Sequence, residues 1–142
     1  MVNYADKIGS AVTVGGDTRI TKIGAKIRNL RIDEVPQLLD VLAGNMSFVG
    51  TRPEAMKYVK QYTNEMYATL LIPAGITSEA SIRYKDEAKL LDAADDVDKI
   101  YVEHVLPAKM EWNLRSIKNY NFGRDVLTMF RTLAVMMGKD YE

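Results

Sequence analysis

An α+β fold, predominantly helical with a few short strands, is what this chain predicts, and three observations predict it. Apolar residues recur at helical spacing along most of the 142 residues. The runs that read as extended are short and bordered by glycine. Hydrophobic residues make up 47 % and charged residues 27 %, the composition of a packed globular chain rather than a disordered one. A chain of this length fits one domain with a single core.

Taken in order, Val12-Thr13-Val14, Gly15-Gly16 and Thr18-Arg19-Ile20 read as two short strands around a turn. Ile20, Ile23, Ile27 and Leu30 have the spacing of a helix over Thr21 to Asn29, with a basic polar face. Ile32-Asp33-Glu34-Val35-Pro36 then opens a second helix. Acids suit a first turn, where free N–H groups favour negative charge, and proline is tolerated there. Leu38, Leu39 and Leu42 would form its buried stripe, and Gly44-Asn45 would end it. Met46 to Val49 reads as a buried extended run and Gly50-Thr51-Arg52-Pro53 as a turn. Glu54 to Leu71 reads as one long helix, broken by Pro73-Ala74-Gly75. Ile76 to Tyr84 is expected as a loop or extended piece, and Lys85 to Ala94 as a short polar helix. Val97 to Tyr120 is the longest helical stretch, with Tyr101, Val105 and Trp112 on a stripe and Pro107 as a kink or break. Asp125 to Met137 closes the chain with Val126, Phe130, Leu133 and Met137 in register. That stripe suits a core-facing helix, or one lying at a membrane surface.

Composition excludes several kinds of chemistry. Cysteine is absent, so there is no thiol nucleophile, thiolate metal site or disulfide. His104 is the only histidine, which removes histidine-rich metal sites. Net charge is zero, which argues against a nucleic-acid partner. Arg19, Lys22, Lys26, Arg28 and Arg31 nevertheless form an acid-free stretch able to meet phosphate, whereas the acids between Asp86 and Asp98 read as a solvated face. No apolar run reaches the length that spans a bilayer, and the residues from Met1 to Asp6 lack the plan of a signal peptide.

Asp33-Glu34 is the pair most able to do chemistry. By spacing alone it is a helix-start acid pair. Functionally, a carboxylate can attack phosphorus to form an acyl phosphate, and its neighbour can hold magnesium together with substrate phosphates. Arg28 and Arg31 lie just upstream and Arg52 lies in the Gly-Thr-Arg-Pro turn. Their guanidinium forks match phosphate oxygens.

The run from Thr18 to Gly24, then Ile27-Arg28, then Ile32 through Pro53, resembles the signature of bacterial sugar transferases, the monotopic polyprenyl-phosphate phosphoglycosyl transferases. Asp33-Glu34-Val35-Pro36-Gln37-Leu38 followed by Met46-Ser47-Phe48-Val49-Gly50-Thr51-Arg52-Pro53 is the specific part. The similarity continues through Pro73 to Thr77 and, more loosely, from Arg124-Asp125 to Thr132.

The resemblance implies that residues 1–142 are a single catalytic domain, without the re-entrant membrane helix that precedes it in the family. It implies transfer of a sugar phosphate from a nucleotide diphosphate sugar, usually a UDP-sugar, to undecaprenyl phosphate, with Mg2+ required. Asp33 would be the nucleophile that forms an aspartyl phosphosugar and expels UMP. Glu34 would bind the metal, and Arg28 and Arg52 would hold substrate phosphate. Partners would be the donor, the polyprenyl phosphate lipid and the membrane surface, with a homo-oligomer left open. The setting would be the cytoplasmic face of the inner membrane, where the product starts exopolysaccharide, capsule or O-antigen assembly. The alternative is an inactive domain that binds anionic lipid or a partner of polysaccharide assembly. Two departures from the family pattern stand out. Thr51 replaces a usual proline, and Ser78-Glu79-Ala80-Ser81 replaces Gly-Trp-Ala-Gln. Arg83 and Lys85 follow the changed run as candidates to supply a positive charge there.

Overall fold

A computed structural model describes residues 1–4, 10–14, 17–29, 32–92 and 95–138. Helix α1 (Lys22–Asn29) is followed by a 3-10 turn (Ile32–Glu34) and a short α2 (Gln37–Leu42). Strand β1 (Ser47–Val49) comes next, then α3 (Met56–Val59) and a 3-10 segment (Met66–Leu71). Strand β2 (Gly75–Thr77) leads into α4 (Glu79–Arg83) and α5 (Glu87–Leu91). The second half is α6 (Val97–Ile100), a π-helical turn (Tyr101–Val105), α7 (Leu106–Lys118) and α8 (Phe122–Met136). The strands pair in parallel, Ser47 opposite Gly75 and Val49 opposite Thr77, so α3 and the 3-10 segment form the crossover that parallel pairing needs. The expected helical α+β class holds.

The core gathers on the π turn and α7. Tyr101, Val105, Leu106 and Met110 are buried there with Tyr58, Tyr62, Leu91 and Val12 from four other segments. The Tyr58 and Tyr101 rings lie 4.5 Å apart, a tilted aromatic pair. Continuous helix through Pro107 would leave the carbonyl one turn earlier without a donor. The π turn ends two residues before it, and Pro107 falls in the first turn of α7.

Several expectations are corrected. Residues 12–14 and 18–20 form no strand; Arg19 instead holds them by donating to the carbonyls of Ser10 at 2.7 Å and Val12 at 3.3 Å. Gly15-Gly16 lie outside the described residues. The long helix over Glu54 to Leu71 is two short pieces. Helix α3 ends at Val59 and the chain resumes as a 3-10 segment at Met66, whose N–H lies 3.5 Å from Thr63 Oγ1. The Ile76 to Tyr84 stretch contains a helix, α4, because Ser78 Oγ caps it by accepting from the Ser81 N–H at 3.1 Å. The α2 stripe is not buried: Leu39 is 69 % and Leu42 84 % exposed, because no described element covers that short helix. Gly44 does end the α2 segment, at φ +78°. Among the described residues no helix is long and apolar enough to cross a membrane.

Candidate active site

Asp33 and Glu34 sit in the 3-10 turn ahead of α2, not inside its first turn. Pro36 disfavours helical geometry at Val35, so the chain tightens into a 3-10 turn before the helix begins. That placement leaves Asp33 exposed and Glu34 half-buried at the mouth of a cavity of about 680 Å³. Arg28, from the last turn of α1, and Arg52 line the same cavity. All four side chains singled out from the sequence therefore face one space. Arg31 lies outside the described residues.

Arg52 donates from Nη1 to Glu34 Oε1 at 3.0 Å. Both groups are partly open to water, so this pair stabilises the fold little and stays available for exchange with a ligand. Arg28 donates from Nη1 to Thr13 Oγ1 at 3.2 Å, which orients it without neutralising it.

Sequence reasoning missed the polar network in the cavity wall. Lys109, buried on α7, lies 3.1 Å from Glu54 Oε1 and 3.0 Å from Glu87 Oε2. It also donates to the Tyr101 hydroxyl at 3.0 Å, and that hydroxyl donates to Glu54 Oε2 at 2.7 Å. Burial and the neighbouring Glu54 carboxylate push the Tyr101 phenol far up, so it remains a neutral donor. Nothing in the linear pattern marked a lysine in mid-helix as the partner of two acids 55 and 22 residues away; Glu54, two residues after Arg52, was the only hint.

The changed run after β2 divides between two sides. Ser81 and Lys85 line the cavity. Glu79 turns to Arg83 at 3.1 Å and Arg131 at 3.3 Å, and the Arg83 guanidinium stacks 4.0 Å from the Trp112 ring centroid. Of the two basic candidates, Lys85 reaches the cavity and Arg83 is committed elsewhere. Thr77 and Thr132 hydroxyls meet at 2.7 Å and tie β2 to α8 in the cavity wall. His104 is exposed and does not line it.

Carboxylates facing guanidinium groups across an open cleft suit a ligand that carries phosphate. Comparison with known proteins gives the class: the chain belongs to the bacterial sugar transferase family, whose model matches residues 1–139. It is 35 % identical over 141 residues to a UDP-N-acetylgalactosamine-undecaprenyl-phosphate N-acetylgalactosaminephosphotransferase of Aeromonas hydrophila, covering 96 % of this chain and 30 % of that protein. A putative undecaprenyl-phosphate N-acetylgalactosaminyl 1-phosphate transferase of Bacillus subtilis is 42 % identical over 86 residues, 60 % of this chain and 46 % of that protein. A UDP-glucose:undecaprenyl-phosphate glucose-1-phosphate transferase of Escherichia coli is 30 % identical over 132 residues, 90 % of this chain and 26 % of that protein. The chain thus spans less than half the length of these relatives.

Proposed function

We propose that residues 1–142 form the catalytic domain of a phosphoglycosyl transferase that moves a sugar phosphate from a UDP-sugar to undecaprenyl phosphate. The observation that carries this reading is the exposed Asp33 carboxylate in a cavity shared with Glu34, Arg28 and Arg52. The names of the relatives, which pair undecaprenyl phosphate with sugar phosphate transfer, support it.

In this reading an Asp33 carboxylate oxygen attacks the sugar-bearing phosphorus. The bond from that phosphorus to the bridging oxygen breaks, and UMP leaves with the electron pair. An oxygen of the lipid phosphate then attacks the same phosphorus, the bond to Asp33 breaks, and the carboxylate is restored. Arg28 and Arg52 offset the charge of the diphosphate during both steps. The lipid-linked product would begin exopolysaccharide, capsule or O-antigen synthesis at the cytoplasmic face of the inner membrane.

Among the described residues no cluster of three or more acidic, histidine or cysteine side chains is arranged for a metal. The donor set fits Mg2+ in another way, since that ion binds through one or two carboxylates plus substrate phosphates. Glu34 is the residue that would hold it, beside Asp33. When bound, it would screen the carboxylate from the phosphate it approaches.

The test is UMP release from labelled UDP-sugar by the full-length protein in membranes with magnesium. Asp33→Asn should lower release by about 10³-fold or more, the scale for loss of a nucleophile. Normal release from that variant would overturn the assignment.

A second reading, a domain that only binds anionic lipid, is favoured by one observation. The α8 stripe faces outward, with Phe130 65 %, Leu133 53 % and Met137 75 % exposed. Exposed apolar surface of this kind marks an interaction site. In the transferase reading the same surface lies against the membrane that holds the lipid substrate. Pelleting with anionic liposomes at low salt tests the contact, and absence of binding counts against both uses of the surface.

A further inference from the structure

The buried network in the cavity wall has a cost that stability does not explain. Lys109 is 8 % exposed and faces both Glu54 and Glu87, so an ammonium and the Glu54 carboxylate are largely withdrawn from water, with the Glu87 carboxylate partly so. Desolvating such a set offsets much of its attraction, and apolar residues of similar size would hold the fold as well. The network is also built deliberately into the backbone. Tyr101, its fourth member, opens the π-helical turn, and π turns inside helices recur at functional sites.

Its geometry leads to the acid pair. Glu54 is clamped by Lys109 at 3.1 Å and by Tyr101 at 2.7 Å. Two residues before it, across the restricted backbone of Pro53, Arg52 donates to Glu34 at 3.0 Å. Residues 51–55 carry no helix or strand: Thr51 O accepts from the Gly75 N–H at 3.0 Å and Ala55 caps α3, so Arg52 to Glu54 bridge two tied ends and depend on side-chain contacts between them. Arg52, Pro53, Glu54 and Ala55 all line the cavity.

We propose that Lys109 is a positioning residue: by gripping Glu54 it fixes the 51–55 segment so that the Arg52 guanidinium is held against Glu34 at the cavity mouth. The effect on turnover rests on the transferase reading above, whereas the effect on Arg52 does not. Glu87 completes the charge set without touching that segment, so its loss should leave Arg52 where it is.

The experiment compares wild type, Lys109→Met, the double variant Lys109→Met with Glu54→Gln, Lys109→Arg and Glu87→Gln in the full-length protein. The double variant removes the clamp without stranding the Glu54 charge, so it keeps the test alive if Lys109→Met fails to fold. The first readout is restricted rotation of the Arg52 guanidinium by NMR of its Cζ–Nη bonds. It should be lost in the double variant and kept in Glu87→Gln and Lys109→Arg. The second readout is UMP release from UDP-N-acetylgalactosamine and UDP-glucose. Misplacing Arg52 should lower kcat by about 10²-fold with KM changed little, the scale of a displaced catalytic group, and Lys109→Arg should recover most of it. An Arg52 that stays restrained in the double variant, or is freed equally by Glu87→Gln, overturns the proposal. An Arg52 that is freed while wild type releases no UMP supports the positioning role and sinks the transferase reading instead.

Discussion

Two side chains show how much a single hydroxyl or carboxylate decides in this molecule. The Tyr101 hydroxyl is shared between Lys109 and Glu54, and the residue is 1 % exposed. Tyr101→Phe keeps the ring packing on Tyr58 and deletes only that link, leaving a buried carboxylate and ammonium each one partner short. A loss of about 1–3 kcal/mol is expected, read by urea unfolding. Asp98 is the opposite case, an acid near the surface. Burial raises its pKa, but hydrogen bonds from Lys57, Tyr58 and Ser10 outweigh that and hold it at about 2. A carboxyl depressed in the folded state contributes stability above its unfolded pKa and loses it as pH falls through the folded value. The contribution should therefore fade between about pH 4 and pH 2. Asp98→Asn should flatten that part of the acid-unfolding curve while costing stability at neutral pH. The run of acids from Asp86 to Asp98, read as a solvated face, thus contains one acid that ties α6 to α3 and to Ser10.

At the scale of elements, α7 and α8 divide the structural and surface roles. Leu106 on α7 is 1 % exposed in the core, so Leu106→Ala should cost about 2–5 kcal/mol in chemical denaturation. Helix α8 is inside out by comparison. It buries Thr128 and Ala134, bonds Thr132 to Thr77, and turns Phe130, Leu133 and Met137 outward. Phe130→Ser with Leu133→Ser should therefore change unfolding free energy by no more than about 1 kcal/mol. If the stripe is the membrane contact proposed above, the same variant should release the protein from liposomes in a flotation assay. A large stability loss instead would place that stripe in a hidden core. Periodicity located this helix correctly and showed that one face is apolar. It left core and membrane surface open, because the same spacing serves either environment.

Across the whole molecule, the cavity exists only because distant segments meet. Its walls draw on α1, the 3-10 turn before α2, the 51–55 segment, β2, α4, α7 and α8. The short parallel pair is the hinge of that arrangement. A Cβ on Gly75 would overlap the backbone of Gly50, so the chains approach at a distance only glycine permits. Gly75→Ala should cost about 1–3 kcal/mol or more through this overlap. In the transferase reading proposed above it should also lower UMP release beyond what partial unfolding explains, since β2 and the Arg52 segment leave this crossing together. Parallel measurement of circular dichroism and activity separates the two effects.

Linear order by itself determined the chemical inventory: which residues could serve as acid pair and phosphate-binding arginines, which chemistries were absent, and a helical α+β class. Asp33, Glu34, Arg28 and Arg52 stood out as candidates through the resemblance to a family signature, since spacing alone read the acid pair as an ordinary helix start. Tertiary structure alone decided that these four share one cavity, that Lys109 grips Glu54, that Lys85 rather than Arg83 joins the site, and that the α2 and α8 stripes face outward. Each of those depends on contacts between residues far apart in the chain. Burial is a property of what lies opposite a side chain, and local periodicity holds no record of its neighbours across the fold.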